Sequence, residues 1–446
     1  MRRLSRDELV AGITLRGDIV SRSGAKLLAA GTELTPQLAS ALRQQTVDGI
    51  FTSAPVPTPA VHLRHTSIAP GDAAESPFSD VDDPEREKRR ARAQLRRGAD
   101  RVVAERSRKW EALPKVIPSS PKPVVAAAGT PEVWPSQAEL RGLATRRRTE
   151  LRELLMGVIA GVRTSVEPFL TLVEELIDLA AAHPARFAEL PLLQPSTGGS
   201  LEEHADRVAA LCVGVAIRLR WSRTDVQLAG LAGMLADVGM ALMPLEVRSS
   251  PGPLDEFAHN RVMRHPAYSV SLLAQVDGLP EAVLLAAHQH HEREDGLGYP
   301  WGVRGRRLSD VARVIAACDV LVASAARRPY RGERRPYDAL IEVINQASRG
   351  SLNRRIVRAL VAVTGLFPPA SHVLLSTGEI ARVESISAER IDRPVVQPLS
   401  VSGRAAGTPI DLSADRAIRV VRAADPPREP RVRWVHTAPQ TSRAAA

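Results

Sequence analysis

The chain has 446 residues, 44% of them apolar and 3% aromatic. That is enough apolar side chain for one sizeable core with one or two small satellites, built on Leu, Val and Ala, and it excludes a uniformly disordered protein. The formal charge of +10 permits contact with polyanions, but the arginines fall in scattered clusters rather than one stripe, which argues against nucleic acid as the partner. Cys212 and Cys318 lie far apart in apolar helical contexts with no CxxC pair, the pattern of buried thiols in a reducing compartment. Met1 to Glu8 leads into no apolar run long enough for secretion, and no uninterrupted apolar run reaches the roughly 18 residues of a membrane span. The expectation is a cytoplasmic protein without membrane insertion.

Residues 1–53 read as a small α/β accessory unit. Short strands are expected between Ile13 and Leu27, around the Arg16-Gly17-Asp18 and Ser23-Gly24-Ala25 turns. A helix is expected from Thr35 to Arg43, with Thr35 as N-cap and Pro36 at its first position. Residues 54–144 read as linker: a Pro/Ser/Ala stretch through Pro84, a charged run from Arg86 to Glu111, and a second proline-rich piece with Pro114, Pro118, Pro121 and Pro123. The outer pieces bury too little to fold, and the middle run is expected as a solvated helix.

Residues 145–371 carry long amphipathic periods and define the fold class as mainly α. Helical spacing runs through Leu154, Leu155, Val158, Ile159, Val162 and Val166, through Leu172 to Leu179, and again at Val208–Leu219, Thr224–Leu235, Val283–His291, Leu308–Ala325 and Tyr337–Ile344. Gly365 and Pro368-Pro369 stop the helical run. Residues 372–425 turn β-rich, with strand signals at His372–Leu375, Ile380–Val383, Val395-Val396 and Ile418–Val421, and residues 426–446 read as a flexible tail.

Five separated segments offer imidazole or carboxylate groups: His204, Asp237, His265, the pair His290-His291, and Asp319. Nitrogen and oxygen donors of this kind suit Mn, Fe, Zn or similar divalent ions, and a carboxylate can bridge two of them. Taken singly, His204 or His265 is equally a core or surface histidine, and Asp237 equally a cap for the turn before Gly239. The balance changes at His290-His291-Glu292-Arg293-Glu294-Asp295-Gly296-Leu297-Gly298-Tyr299-Pro300, where paired imidazoles precede a turn that exposes polar groups at a helix end. Its glycines allow tight backbone geometry, and Pro300 holds the exit extended. His288, the extra histidine of this cluster, reads as packing or as a support for a neighbouring ligand.

That stretch, with Cys318-Asp319-Val320 and Arg328-Pro329-Tyr330-Arg331 downstream, resembles the HD-GYP family of HD-superfamily phosphohydrolases over about residues 195 to 370. Glu8–Thr52 and Leu375–Leu412 resemble, more weakly, the small domain before and the β-rich extension after such units. The resemblance implies a helical HD-type domain with His204, Asp237, His265, His290, His291 and Asp319 around one or two divalent ions, Asp237 bridging and serving catalysis. It also implies cyclic di-GMP as ligand, and signalling partners or a homodimer. Arg293 and Arg328 are the candidate substrate-binding cations, and the turn Asp295, Gly296, Gly298, Tyr299 and Pro300 helps define the pocket.

Three positions depart from the family pattern. Ala236 replaces the histidine of the His-Asp doublet, Met240 replaces a lysine three residues after the aspartate, and Ser200 stands where an acidic ligand is sometimes found. The lysine of the lid-like segment is also absent around Ser249–Gly252. An alanine offers no lone pair, and a methionine no charge for a phosphodiester. The expectation is therefore a degenerate HD-GYP signalling protein that binds metal and cyclic di-GMP with weak or absent hydrolysis. The alternative is an active metal-dependent cyclic di-GMP phosphodiesterase.

Overall fold

In the computed structural model, residues 84–427 are described apart from 131–132, 193–199, 245–246, 248–254, 327–334 and 388–389, together with four short strands of the first 83 residues. The chain divides into two compact units, Met1–Val81 and Asp82–Ala446. In the first, β1 (Arg2–Arg3), β2 (Ile19–Ser21), β3 (Lys26–Leu28) and β4 (Ile50–Thr52) form an antiparallel sheet in the order β1-β4-β2-β3. The helix expected at Thr35–Arg43 lies outside the described residues.

The second unit begins with α1 (Pro84–Glu111) and continues through α2 (Gln137–Ile159), α3 (Glu167–Ala182), the short α4 (Glu189–Leu192), α5 (Leu201–Arg218) and α6 (Arg223–Leu235). A 3-10 turn at Val238–Leu242 leads to α7 (Glu256–Val262), α8 (His265–Leu273), α9 (Glu281–Gln289), α10 (Asp310–Ala325), α11 (Pro336–Ser348) and α12 (Arg354–Thr364). α5 is the central element, touching α2, α3, α6, α10 and α12. Its residues from Val208 to Ala216 are all buried small or aliphatic side chains, as a helix that is apolar on every side must be. Asp206, also buried on α5, is neutralised by Arg147 and Arg148 of α2. Serines cap the starts of α2, α5 and α6, where Ser136, Ser200 and Ser222 accept from a backbone N–H one turn on.

The helical period through Val162 and Val166 is broken. Gly161 takes φ +71°, its N–H bonds Val158 O and that of Val162 bonds Gly157 O, which closes α2 in a Schellman motif. The chain then forms β5 (Thr164–Ser165), parallel to β6 (Val276–Asp277). Arg223–Leu242 is long and apolar enough to cross a membrane, and 61% of the stretch that qualifies is buried inside this unit.

Residues 94–130 are not the solvated linker that composition suggested. Ala99, Val103 and Trp110 share one face of α1 and are buried, with α8 and α9 as its neighbours. The high charge of the other faces hid that stripe. The following proline-rich strand is tied down by backbone groups: Ile117 N–H donates to Asp310, Ser120 N–H to Arg220 O and Ala127 N–H to Asp178. Proline-rich chain can dock in this way because bonds to its remaining amides need no apolar payload.

At the C-terminal end β7 (His372–Leu375), β8 (Ile380–Ser385), β9 (Val395–Pro398), β10 (Ile410–Asp411) and β11 (Val420–Ala424) form a five-stranded antiparallel sheet, in the order β10-β9-β8-β7-β11. Phe367, Val373, Leu375, Ala381, Val383, Val396 and Leu412 make its own small core.

Candidate metal centre

Asp237 sits in the turn between α6 and the 3-10 turn, and Ser269 of α8 holds that turn. The Ser269 hydroxyl donates to Ala236 O at 2.6 Å and accepts from Gly239 N at 2.9 Å. α8 lies so close that a Cβ on Gly239 would fall 2.2 Å from His265 O and 2.5 Å from Ser269 N, so only glycine fits. His265 opens α8 immediately before Pro266, a residue suited to a first helical turn. His290 is the C-cap of α9, His291 follows it, and His204 and Asp319 project from α5 and α10.

Two ligand sets meet at Asp237. On one side its Oδ1 lies 3.0 Å from His265 Nε2 and 3.4 Å from His290 Nε2, and the two imidazole Nε2 atoms are 3.2 Å apart. Nδ1 of His265 bonds Val262 O and Nδ1 of His290 bonds Ala287 O, both at 2.7 Å. A carbonyl only accepts, so each Nδ1 carries a proton, and in the neutral ring the Nε2 lone pair turns inward. With both rings neutral, Asp237 Oδ1 and the two Nε2 atoms form a set of three acceptors that a cation can join. His291 joins this set, and on the other side His204, Asp237 and Asp319 form the second.

His204 Nε2 lies 3.0 Å from Asp237 Oδ2 and 3.1 Å from Asp319 Oδ1, yet is directed well enough at neither for a hydrogen bond. Burial alone would lower its pKa, but the two carboxylates outweigh burial and hold it up at about 10. The same balance keeps Asp237 ionised: burial works to raise its pKa, and His204, His265 and His290 bring it well below the usual carboxylate value. His291 is pushed well below the usual imidazole value by burial and by its histidine neighbours, which leaves it a neutral donor. An ionised Asp237 and a neutral His291 are in the states that bind divalent ions, whereas His204 has to release a proton before it can ligate one.

All six residues singled out in the sequence as ligands are therefore brought to one place. The position beside Asp237 contributes nothing to it: Ala236 is buried and presents a methyl group. Met240 is half-buried in the 3-10 turn. Arg293 directs Nη1 at His290 O and Glu292 O, capping the end of α9. Arg328 and Ser249–Gly252 lie outside the described residues.

The turn after His291 is held by Glu292, whose buried carboxylate accepts from Trp301 N at 2.7 Å and Val303 N at 3.0 Å. A Cβ on Gly298 would sit 2.5 Å from His291 O and Glu292 Cα, so the chain can fold back here only as glycine. This brings the Tyr299 ring onto His291, stacked at 4.7 Å. Asp295 accepts from Leu297 N, while Gly296 takes φ +78° and Pro300 follows a cis peptide bond. His288 packs between Trp110 and Trp301. Ser269 and Glu292 were missed as supporting residues. Ser269 was legible in principle, one turn beyond His265 on the same face, whereas nothing in the sequence sets Glu292 apart from its acidic neighbours.

The family model described as HD domain matches residues 176–355, a span that holds all six candidate ligands. The chain carries an HD domain over that span. It is 27% identical over 312 residues to a cyclic di-GMP phosphodiesterase of Pseudomonas aeruginosa, covering 66% of this chain and 73% of that protein. It is 32% identical to a 3'3'-cGAMP-specific phosphodiesterase of Vibrio cholerae, over 36% of this chain and 37% of the relative. A cyclic di-GMP phosphodiesterase response regulator of Xanthomonas campestris is 34% identical, over 36% of this chain and 43% of its own length. The chain thus spans well under half of the last two.

Proposed function

We propose that this protein is a cyclic-dinucleotide signalling protein that binds a divalent ion at Asp237, His265 and His290, binds cyclic di-GMP beside it, and hydrolyses it weakly. The observation that carries the metal reading is the convergence of three acceptor atoms, with both imidazole protons committed to backbone carbonyls. The names of the relatives support cyclic di-GMP as the ligand, with 3'3'-cGAMP the nearest competitor.

Bound divalent ions supply Lewis acidity toward phosphoryl oxygen and an activated water. The chain's own residues do the rest. Asp237 would offer one oxygen to each ligand set, His265 and His290 would turn their Nε2 lone pairs to an ion, and Tyr299, stacked on His291, would screen that ring from water. Hydrolysis is slowed in this reading because Ala236 removes a ligand from the His204 side and Met240 removes a positive charge near the phosphodiester. Arg293 and Arg328 are the proposed phosphate contacts. Output passes through protein partners or a second copy of the chain, in the cytoplasm.

One observation favours the second reading, an active phosphodiesterase: His204, Asp237 and Asp319 still offer three ligand atoms, a number that catalytic zinc sites commonly use. Turnover of cyclic di-GMP and of 3'3'-cGAMP, with Mn, Fe and Zn supplied separately and metal content measured alongside, decides between them. The expected outcome is metal binding with slow turnover, raised more by Ala236→His with Met240→Lys together than by either alone. Wild-type turnover within about tenfold of the double variant, a barrier difference of only about 1.4 kcal/mol, sinks the impaired reading.

A further inference from the structure

α9 has nine residues, about 13 Å at 1.5 Å per residue. A helix that short has no stable axis of its own in water and is placed by what packs on it. Residues 281 and 288 are two turns apart and share a face, while residue 290 lies about 180° round from 281, on the side of Asp237. The back face is covered from outside the HD domain. Trp110 of α1 is buried at 2% exposure, and its Nε1 donates to Glu281 Oε2 at 3.1 Å, while Arg106 pairs with the same carboxylate.

The Trp110 ring also lies 5.5 Å from that of His288 and 5.8 Å from that of Trp301, and the last two are 4.2 Å apart. Trp301 in turn donates its backbone N–H to Glu292. One indole therefore touches the first turn of α9, its last turn, and the turn that lays Tyr299 on His291.

We infer that Trp110, with Arg106 and Glu281, positions the metal centre: by fixing the depth and tilt of α9 it holds His290 Nε2 at Asp237. None of the three touches the ligand atoms. Trp110 and Arg106 lie outside the segment 176–355 that matches the family model, so the device comes from a helix that precedes that segment. The inference rests on the metal-centre reading given above.

The test uses the full chain and two readouts. Mn or Zn affinity is measured by competition with a chelator, and the imidazole resonances of His290 and His291 are followed by NMR in metal-free protein. Trp110→Ala is expected to weaken metal binding about 10- to 100-fold, the usual effect of losing an outer support of a ligand, and to shift both resonances. Trp110→Phe, which keeps a ring against His288 and Trp301, is expected to restore most of both. Trp134→Ala, an equal truncation of another buried tryptophan, one packed on His183 and Glu189, is expected to change neither. Equal affinity in wild type and Trp110→Ala overturns the inference and leaves the metal reading standing. If wild type binds neither ion, the metal reading fails and the resonances alone decide: a shift in Trp110→Ala restored by Trp110→Phe supports positioning, and no shift refutes it.

Discussion

The two sides of Asp237 are built differently. On the His265 side the rings are oriented before any ion arrives, because each Nδ1 proton is held by a backbone carbonyl three residues earlier, at the end of α7 for His265 and within α9 for His290. On the His204 side the imidazole stands near two carboxylates without a directed bond to either, and the neighbouring position is the methyl of Ala236. A ring oriented by backbone carries its orientation from the fold, whereas the His204 ring takes its place from the two carboxylates that would share the ion. The contrast teaches that one carboxylate can join two ligand sets whose imidazoles are oriented by different means.

Removing the shared residue should have the largest effect. Asp237→Ala is expected to lose both ligand sets, with metal content by elemental analysis falling to none and affinity dropping more than about 100-fold, beyond what outer-shell losses cause. The next comparison separates the halves. His290→Ala should abolish the tighter ion, and His204→Ala should leave that ion in place and remove only weaker binding. Equal losses from the two variants would show that the halves are not different in kind.

Smaller effects come from the support of the Asp237 turn. Gly239→Ala forces a Cβ into backbone atoms of α8 and is expected to cost about 3 kcal/mol of stability, the upper end of overpacking, read by denaturant unfolding. Ser269→Ala leaves Ala236 O and Gly239 N–H without their partner in a buried place and should cost about 1–3 kcal/mol. In both variants metal affinity should fall on both sides of Asp237 together, since the turn carries the oxygen atoms for each.

Much of the helical domain is written in the apolar periods, because a buried helix face must repeat at 3.6 residues. α6, α9 and α10 stand within two residues of the expected ranges, α5 starts seven residues before the expected Val208, and the five-stranded sheet keeps the strand signals at His372, Ile380 and Val395. Reading failed where a local device overrode the period, as at Gly161, and where polar residues masked a narrow stripe, as in α1. Proline-rich residues 112–130 escaped because their anchors are backbone amides, which carry no side-chain signature.

For the centre, the sequence by itself determined the ligand inventory: four imidazoles and two carboxylates with a glycine-bounded turn, and an alanine where a fifth imidazole was expected. Local chemistry suffices for that, since which atoms can donate to a metal is a property of residue type. Only the tertiary structure decided which lone pairs face one another. It brought Asp237 to His265 and His290 through the Ser269 contact, left His204 between two carboxylates, and set Trp110 behind α9. Those facts depend on helices far apart in the chain packing at fixed depth, and packing depth is set by the whole core rather than by any one segment.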